Sequence, residues 1–283
     1  MTLRLAILLA LALLSVLHFG STWQFHRSIE QQVQALRTLT NDEQVLQPPR
    51  LIGALAMRSH LSDSNQGPSQ DCPTTIQIHQ TGEMRLSEQG RWLPFSATQD
   101  FSIRQPGFVW RATFRLAPFI HIEVVDSYVQ GKGRLEGRLL GSIPFLRATG
   151  SSTDKGELMR YLAELIFFPA AFLNNSALHW HELNEFTVEV KGEPDVGVHY
   201  NFDHNGDLVN ITAPNRPRMV AGQAVETPWS CAASDYKTLG GYDIPTLGQV
   251  SWQLEDGPFT YWRGRITHLE TDPDNQSLFQ AEV

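Results

Sequence analysis

Three ionisable residues fall where the sequence could gather chemistry. In "HIEVVDSYV", Asp126 alternates with Ile122, Val124 and Tyr128, so a strand would turn its carboxyl toward the apolar side. In "GELMRYLAELIFFPAAFL" (156–173), Arg160 and Glu164 stand one helical turn apart, with Tyr161 beside them. A charge turned into apolar surroundings needs a partner, because unpaired burial is expensive. Two roles fit this set. One is a structural ion pair that fixes a helix on a sheet. The other is a polar anchor for the head of an amphiphilic ligand, with Tyr128 and Tyr161 assisting and Trp110 and Phe168 in the apolar wall. A third chemistry, hydrolysis with Asp126 and Glu164 as paired carboxylates, has no nucleophile or metal motif beside it.

Two other strings resemble sites and fall short. "HWHELNE" (179–185) places Glu185 where a zinc protease needs its second imidazole, and it borders a strand rather than lying on a helix. "DHNGDL" (203–208) opens like a calcium loop, but Pro214 occupies the place of the bidentate Glu, and Asn-Gly between strands is an ordinary hairpin. There is no G-x-S-x-G, phosphate loop or dinucleotide fingerprint. No catalytic residue, metal ligand or cofactor is therefore assigned.

The elements that must position these residues follow from periodicity. In "PGFVWRATFRL", Phe108, Trp110, Ala112, Phe114 and Leu116 share one face, and Val109, Arg111, Thr113 and Arg115 share the other. "EFTVEVK", "VGVHYNF" and "QVSWQLE" repeat the alternation, and "QTGE", "DHNGD" and "EDGP" link strands as hairpins. This is an antiparallel sheet with one buried side. About eleven strands are expected, a number that tends to curl or close. The 154–173 stretch interrupts the meander. Asp154 and Glu157 have capping-box spacing, and Leu158, Tyr161, Leu162, Leu165, Pro169 and Phe172 share one helical side. Pro169 should kink or end the helix. The apolar run from Leu165 to Leu173 is too short to span a bilayer, so the helix is expected on the apolar face of the curved sheet.

The N-terminus, "MTLRLAILLALALLSVLHFG", carries Arg4 before an apolar run from Leu5 to Leu17, with His18, Phe19 and Trp23 suited to extend it into a membrane interface. Small residues of the cleavage-site type are poorly placed after it, which favours an uncleaved signal-anchor over a cleaved signal. Phe25, Ile29, Val33 and Leu36 then mark an amphipathic juxtamembrane helix. The formal charge of −8 over 283 residues, with no basic cluster, argues against a nucleic-acid partner. Cys72 and Cys231 could pair in an oxidising compartment, but their separation leaves pairing open.

The string Gly156, Glu157, Arg160, Tyr161, Leu162, Glu164, Phe168, Pro169 and Ala171, with "GEMRL", "PGFVWRA", "VVDSYVQGKGRL" and "YDIPTLGQVSWQL", resembles an uncharacterised bacterial domain-of-unknown-function family over roughly residues 46 to 270. That family carries no known chemistry. In architecture, a curved antiparallel sheet with a helix inserted midway resembles the bacterial lipoprotein-localisation carriers, which hold acyl chains in a half-barrel under helical lids. The expected organisation is a signal-anchor or transmembrane segment (1–22), a helical juxtamembrane region (23–61) and one β-rich α+β domain (74–283) with the kinked helix 154–173 on its concave face. The reading is a single-pass membrane protein whose C-terminal domain is exported and binds a lipid or other amphiphile without catalysis. The alternative is an interaction module with a filled core.

Overall fold

The protein is described by a computed structural model over residues 2–39, 46–58, 73–192 and 195–273. It begins with α1 (Thr2–Arg37) and α2 (Arg50–Arg58). Six strands follow: β1 (Thr75–Met84), β2 (Leu93–Ser102), β3 (Phe108–Ala117), β4 (Ile120–Val129), β5 (Lys132–Leu139) and β6 (Ile143–Thr149). The insertion comprises α3 (Ser151–Glu164), a 3-10 turn (Leu165–Phe167) and α4 (Ala171–Asn174). Then come β7 (Leu178–Asn184), β8 (Thr187–Gly192), β9 (Val196–Phe202), β10 (Leu208–Val220), β11 (Gln223–Leu239), β12 (Tyr242–Leu254) and β13 (Gly257–Thr271).

Among the described residues, thirteen strands form one antiparallel sheet in the order β6-β5-β4-β3-β2-β1-β13-β12-β11-β10-β9-β8-β7. This exceeds the expected count because the edge strands β6 and β7 are mostly exposed. With neither face buried, they carry no period-two signal. Among the described residues their outer edges have no strand partner, so the sheet is a half-barrel rather than a closed one. Its curl is fixed by α3, which touches β4, β5 and β6 on one arm and β8, β9 and β10 on the other. A single helix can meet both arms only if the sheet wraps around it.

The inner face follows the alternation. Phe108, Trp110, Ala112 and Phe114 of β3 are buried, as are Val198, Tyr200 and Phe202 of β9. Leu116 lies beyond the core and is exposed. The outer face is not uniformly wet. Val109 and Val125 are buried there beneath Phe25, Ile29, Val33 and Leu36 of α1. The amphipathic stripe of α1 thus packs on the convex side of β2, β3 and β4. At its C-terminal end Asp100 is buried under α1, where it accepts from Arg111 Nη2 at 2.6 Å and from Gln77 Nε2 at 2.8 Å. α1 runs unbroken from the apolar segment into this stripe.

The inserted segment departs from expectation in two ways. The helix begins at Ser151, so Asp154 lies inside its first turn and does not cap it. Its Oδ1 instead accepts the Gly133 N–H at 2.7 Å, tying α3 to the β4–β5 turn. Gly133 is needed there, since a Cβ would lie 2.6 Å from the Thr153 carbonyl oxygen. The α-helix also ends at Glu164, before Pro169; the 3-10 turn and α4 complete the segment. Leu51, Ile52, Leu55 and Ala56 of α2 join the main core, and α2 packs against α4.

Candidate functional site

A cavity of about 370 Å³ lies between α3 and the curled sheet. Its walls are largely aromatic and aliphatic: Trp110, Phe114, Phe167, Trp229, Trp252 and Trp262 line it. Gly156, Glu157, Arg160, Ala163, Glu164 and Phe167 also face it. Their spacing places them on one side of the helical segment. Leu158, Tyr161, Leu162 and Leu165 occupy the other side and are fully buried in the core.

The polar groups cluster where α3 meets the strands. Gln99, Trp110 and Asp126 are cross-strand neighbours on β2, β3 and β4, and Arg160 lies over this row. Its Nη1 donates to Asp126 Oδ2 at 2.6 Å and its Nε to Glu164 Oε1 at 2.9 Å. Gln99 Nε2 donates to Glu164 Oε2 at 2.7 Å. The guanidinium also sits 4.8 Å from the Phe108 ring centroid and 5.1 Å from that of Trp110. Burial opposes the arginine's charge, but Glu164, Asp126 and Glu157 outweigh it and hold its pKa above the ordinary value. Asp126 and Glu164 are therefore both committed to one cation, which argues against their use as a free acid and base.

Two further members were not singled out by sequence reasoning. Glu157 is only 8% exposed, and its Oε2 has no hydrogen-bond partner among the described residues. Burial raises its pKa well above the usual 4.5, and the Asp126 charge adds to this; Arg216 and Arg160 offset only part. Burial thus disfavours the charged form of the Glu157 carboxyl. Arg216, from β10, is also 8% exposed. It donates through Nη1 to Tyr261 Oη at 3.1 Å and through Nε to the Gly156 carbonyl at 3.3 Å. Its guanidinium lies 4.9 Å from the Trp229 ring centroid and 5.6 Å from that of Trp252. Two guanidinium groups, Arg160 and Arg216, thus share the cavity with three carboxyl side chains, Asp126, Glu157 and Glu164. The signals for these two were present but masked. Glu157 fits a capping box, and Arg216 sits between two prolines where a register shift between Ala213 and Arg216 disturbs the alternation.

The residues named from the sequence divide. Asp126, Arg160, Glu164 and Trp110 line the cavity together. Tyr128 is buried outside that lining. The Tyr161 hydroxyl donates to the Ser102 carbonyl at 2.9 Å and accepts from Asn175 Nδ2 at 2.9 Å, within the core. Phe168 packs on Phe101, with centroids 4.2 Å apart. Phe167, one residue earlier, faces the cavity instead. Cys231 lines the cavity with its thiol pKa pushed up to about 12 by burial; its expected partner, Cys72, lies outside the described residues. His179 and His181 lie on edge strand β7. Asp203 accepts the N–H groups of Asn205 and Asp207, closing the β9–β10 turn. Among the described residues no group of three or more His, Cys, Asp or Glu is arranged to hold a metal ion.

Residues 59–264 match the model of a family of unknown function, DUF6544. The chain belongs to that family. No curated protein matches the sequence. Among solved structures, it is similar to a LolA superfamily protein from Nitrosomonas europaea at 8% identity, covering 81% of this chain and 96% of that one, with a TM-score of 0.40. It is similar to a DUF1329 family protein from Desulfovibrio piger at 10% identity, covering 80% and 94%, TM-score 0.42. A putative outer membrane lipoprotein-sorting protein domain from Vibrio parahaemolyticus matches at 8% identity, covering 81% and 94%, TM-score 0.39.

Proposed function

We propose that this DUF6544 member is a membrane-anchored, exported domain that binds one amphiphile without catalysis. The observation that carries this reading is the cavity of about 370 Å³, walled by aromatic and aliphatic side chains and polar where α3 faces Asp126 and Arg216. Small-molecule sites usually occupy about 300 to 1,000 Å³. This one sits at the lower end, which suits a single acyl chain or similar tail rather than a multiply acylated lipid. The tail would lie against Trp110, Phe114, Phe167 and Trp252. Its polar end would meet Arg160, Glu157 and Arg216. Apolar surface removed from water would drive binding at about 25 cal/mol per Å².

Gly156 supports the same reading. A glycine in a helix costs about 1 kcal/mol relative to alanine. A Cβ built at Gly156 meets nothing within 4 Å, although the residue is buried. The missing side chain leaves room in the cavity. The anchor is α1, whose apolar portion reaches a mean hydropathy of 2.1 and is long enough to cross a membrane.

The test is photolabelling of the full chain in membranes with a diazirine-bearing fatty acid, followed by peptide mass spectrometry. Adducts on peptides containing Trp110, Phe114 or Phe167 are expected. Gly156→Leu should abolish them while leaving the protein folded, because the new side chain enters open space. Labelling confined to residues 2–21 in the unaltered chain would reject the cavity as a lipid site.

A further inference from the structure

The antiparallel order places six hairpins at one end of the sheet: β1–β2, β3–β4, β5–β6, β8–β9, β10–β11 and β12–β13. α1 leaves the sheet at that same end. Leu36 packs on Gly107 at the opposite end. Moving toward the N-terminus, Ser21 Oγ donates to the Ser142 carbonyl at 2.8 Å, and His18 Nδ1 lies 2.8 Å from Ser142 Oγ. Arg138 Nη1 donates to the Ser21 carbonyl at 3.2 Å. The helix is therefore pinned to the β5–β6 hairpin just where its exposed apolar portion, Leu5 to Phe19, begins.

That end carries an unpartnered apolar rim. Phe119, at the β3–β4 turn, is 98% exposed, and Ile120 and Leu116 beside it are exposed. On the β5–β6 hairpin, Ile143 and Phe145 are each 56% exposed. The two tips are joined by the Leu140 N–H donating to the His121 carbonyl at 2.9 Å. Phe145, Leu146, Leu86 and Met219 are both exposed and part of the cavity lining, so they border its opening.

Dimensions connect the rim to the helix. Residues 2–19 of α1 rise about 27 Å, close to the roughly 30 Å of a bilayer's hydrocarbon core. A span of that length puts His18 at the membrane surface. Ser142, one hydrogen bond away, is then at the surface too. We propose that the β3–β4 and β5–β6 hairpin tips, led by Phe119 and Ile143, dock on the bilayer that α1 enters, so that the cavity opens against lipid. Arg115, exposed beside the tip, suits anionic head groups. The acidic turn Glu255–Asp256 belongs to β12–β13, several strands from α1, and would tilt away. An amphiphile could then enter the cavity from the membrane without crossing water. This inference rests on the membrane-anchor part of the proposed function.

The experiment uses the full chain in vesicles of phosphatidylethanolamine and phosphatidylglycerol. The photoreactive p-benzoylphenylalanine replaces Phe119, Phe186 or Leu11, one position per protein. Phe119 and Phe186 are both exposed, so neither replacement disturbs the core; Phe186, beyond β7, is the control at the far end. Phospholipid adducts at positions 119 and 11 with none at 186 are the expected result. Adducts at 11 but none at 119 would overturn the docking while leaving the anchor intact. Absence at 11 would remove the anchor and the docking with it. Equal labelling at 119 and 186 would overturn the docking by removing its directionality.

Discussion

Glu157→Gln isolates the electrostatic logic of the cavity. In the folded protein the Glu157 carboxyl has a pKa well above its ordinary 4.5, through burial first and the Asp126 charge second. A raised folded pKa means that the native state binds more protons than the unfolded state between the two values. Stability contributed by the protonated form is then fully present below about pH 4.5 and falls as pH rises toward the folded pKa. The slope is about 1.4 kcal/mol per pH unit. Between the unfolded and the folded pKa the wild-type protein gives up stability at that slope. Glutamine keeps the shape and supplies an N–H toward Asp126 but cannot ionise. The variant should match the wild type near pH 4 and exceed it increasingly toward neutrality. At about 2–4 °C per kcal/mol, the Tm difference should grow by about 3–6 °C per pH unit within that window. The assay is thermal unfolding of both full-length proteins in non-ionic detergent, followed by tryptophan fluorescence from pH 4 to 8. If Glu157→Gln is less stable at neutral pH than at pH 4 relative to wild type, Glu157 is an ionised partner of Arg216, and its pKa is not raised by burial.

Two more perturbations separate packing from binding. Arg160→Leu leaves Asp126 and Glu164 without their shared cation and should cost about 3–5 kcal/mol in a chemical denaturation experiment. Adding Asp126→Asn and Glu164→Gln should recover most of that loss, and a failure to recover would mean that Arg160 acts chiefly through its rings, Phe108 and Trp110. Tyr161→Phe removes a hydroxyl that serves both the Ser102 carbonyl and the Asn175 amide. It should cost about 1–3 kcal/mol yet leave fatty-acid photolabelling unchanged, whereas lost labelling in a folded variant would return Tyr161 to the site.

The half-barrel was legible because alternation is strict wherever one face is buried and the other wet. β8 and β9 behave that way, and Asp126 stands opposite Trp110 on the inner face as its spacing requires. The pattern failed where a third layer intervened. Val109 read as outward and wet, yet α1 covers it together with Val125. An apolar stripe such as Phe25, Ile29, Val33 and Leu36 fits a membrane surface or a protein surface equally, so sequence could not choose between them. Edge strands β6 and β7 gave no alternation because neither face is buried along most of their length. Tyr161 and Phe168 entered the candidate site because they share a greasy stretch with Arg160. A segment enclosed by a curled sheet has two buried sides, however, and hydrophobicity alone does not separate them.

Those two sides explain why the inserted helix both fills and covers. Leu158, Tyr161, Leu162 and Leu165 fill the space toward α4 and β9, where Tyr200 Oη donates to the Leu162 carbonyl at 2.7 Å. A helix serving only as a plug would carry similar bulk around its circumference, since voids forfeit contact energy. The opposite face instead presents Gly156, Ala163, and the charged set around Arg160. Small residues there preserve the cavity at a cost in packing, and Gly156 costs helix propensity as well. The buried charges add desolvation cost that hydrophobic replacements would often avoid. A side of the helix that is persistently suboptimal for stability, set against aromatic walls, is the pattern expected when an apolar tail and a polar end must both be accommodated. The same reasoning makes Gly156→Ala informative: it should stabilise the protein by about 0.5–1 kcal/mol while reducing the space available to a ligand. A destabilising Gly156→Ala would mean that the position is already filled, and the cavity argument would fall with it.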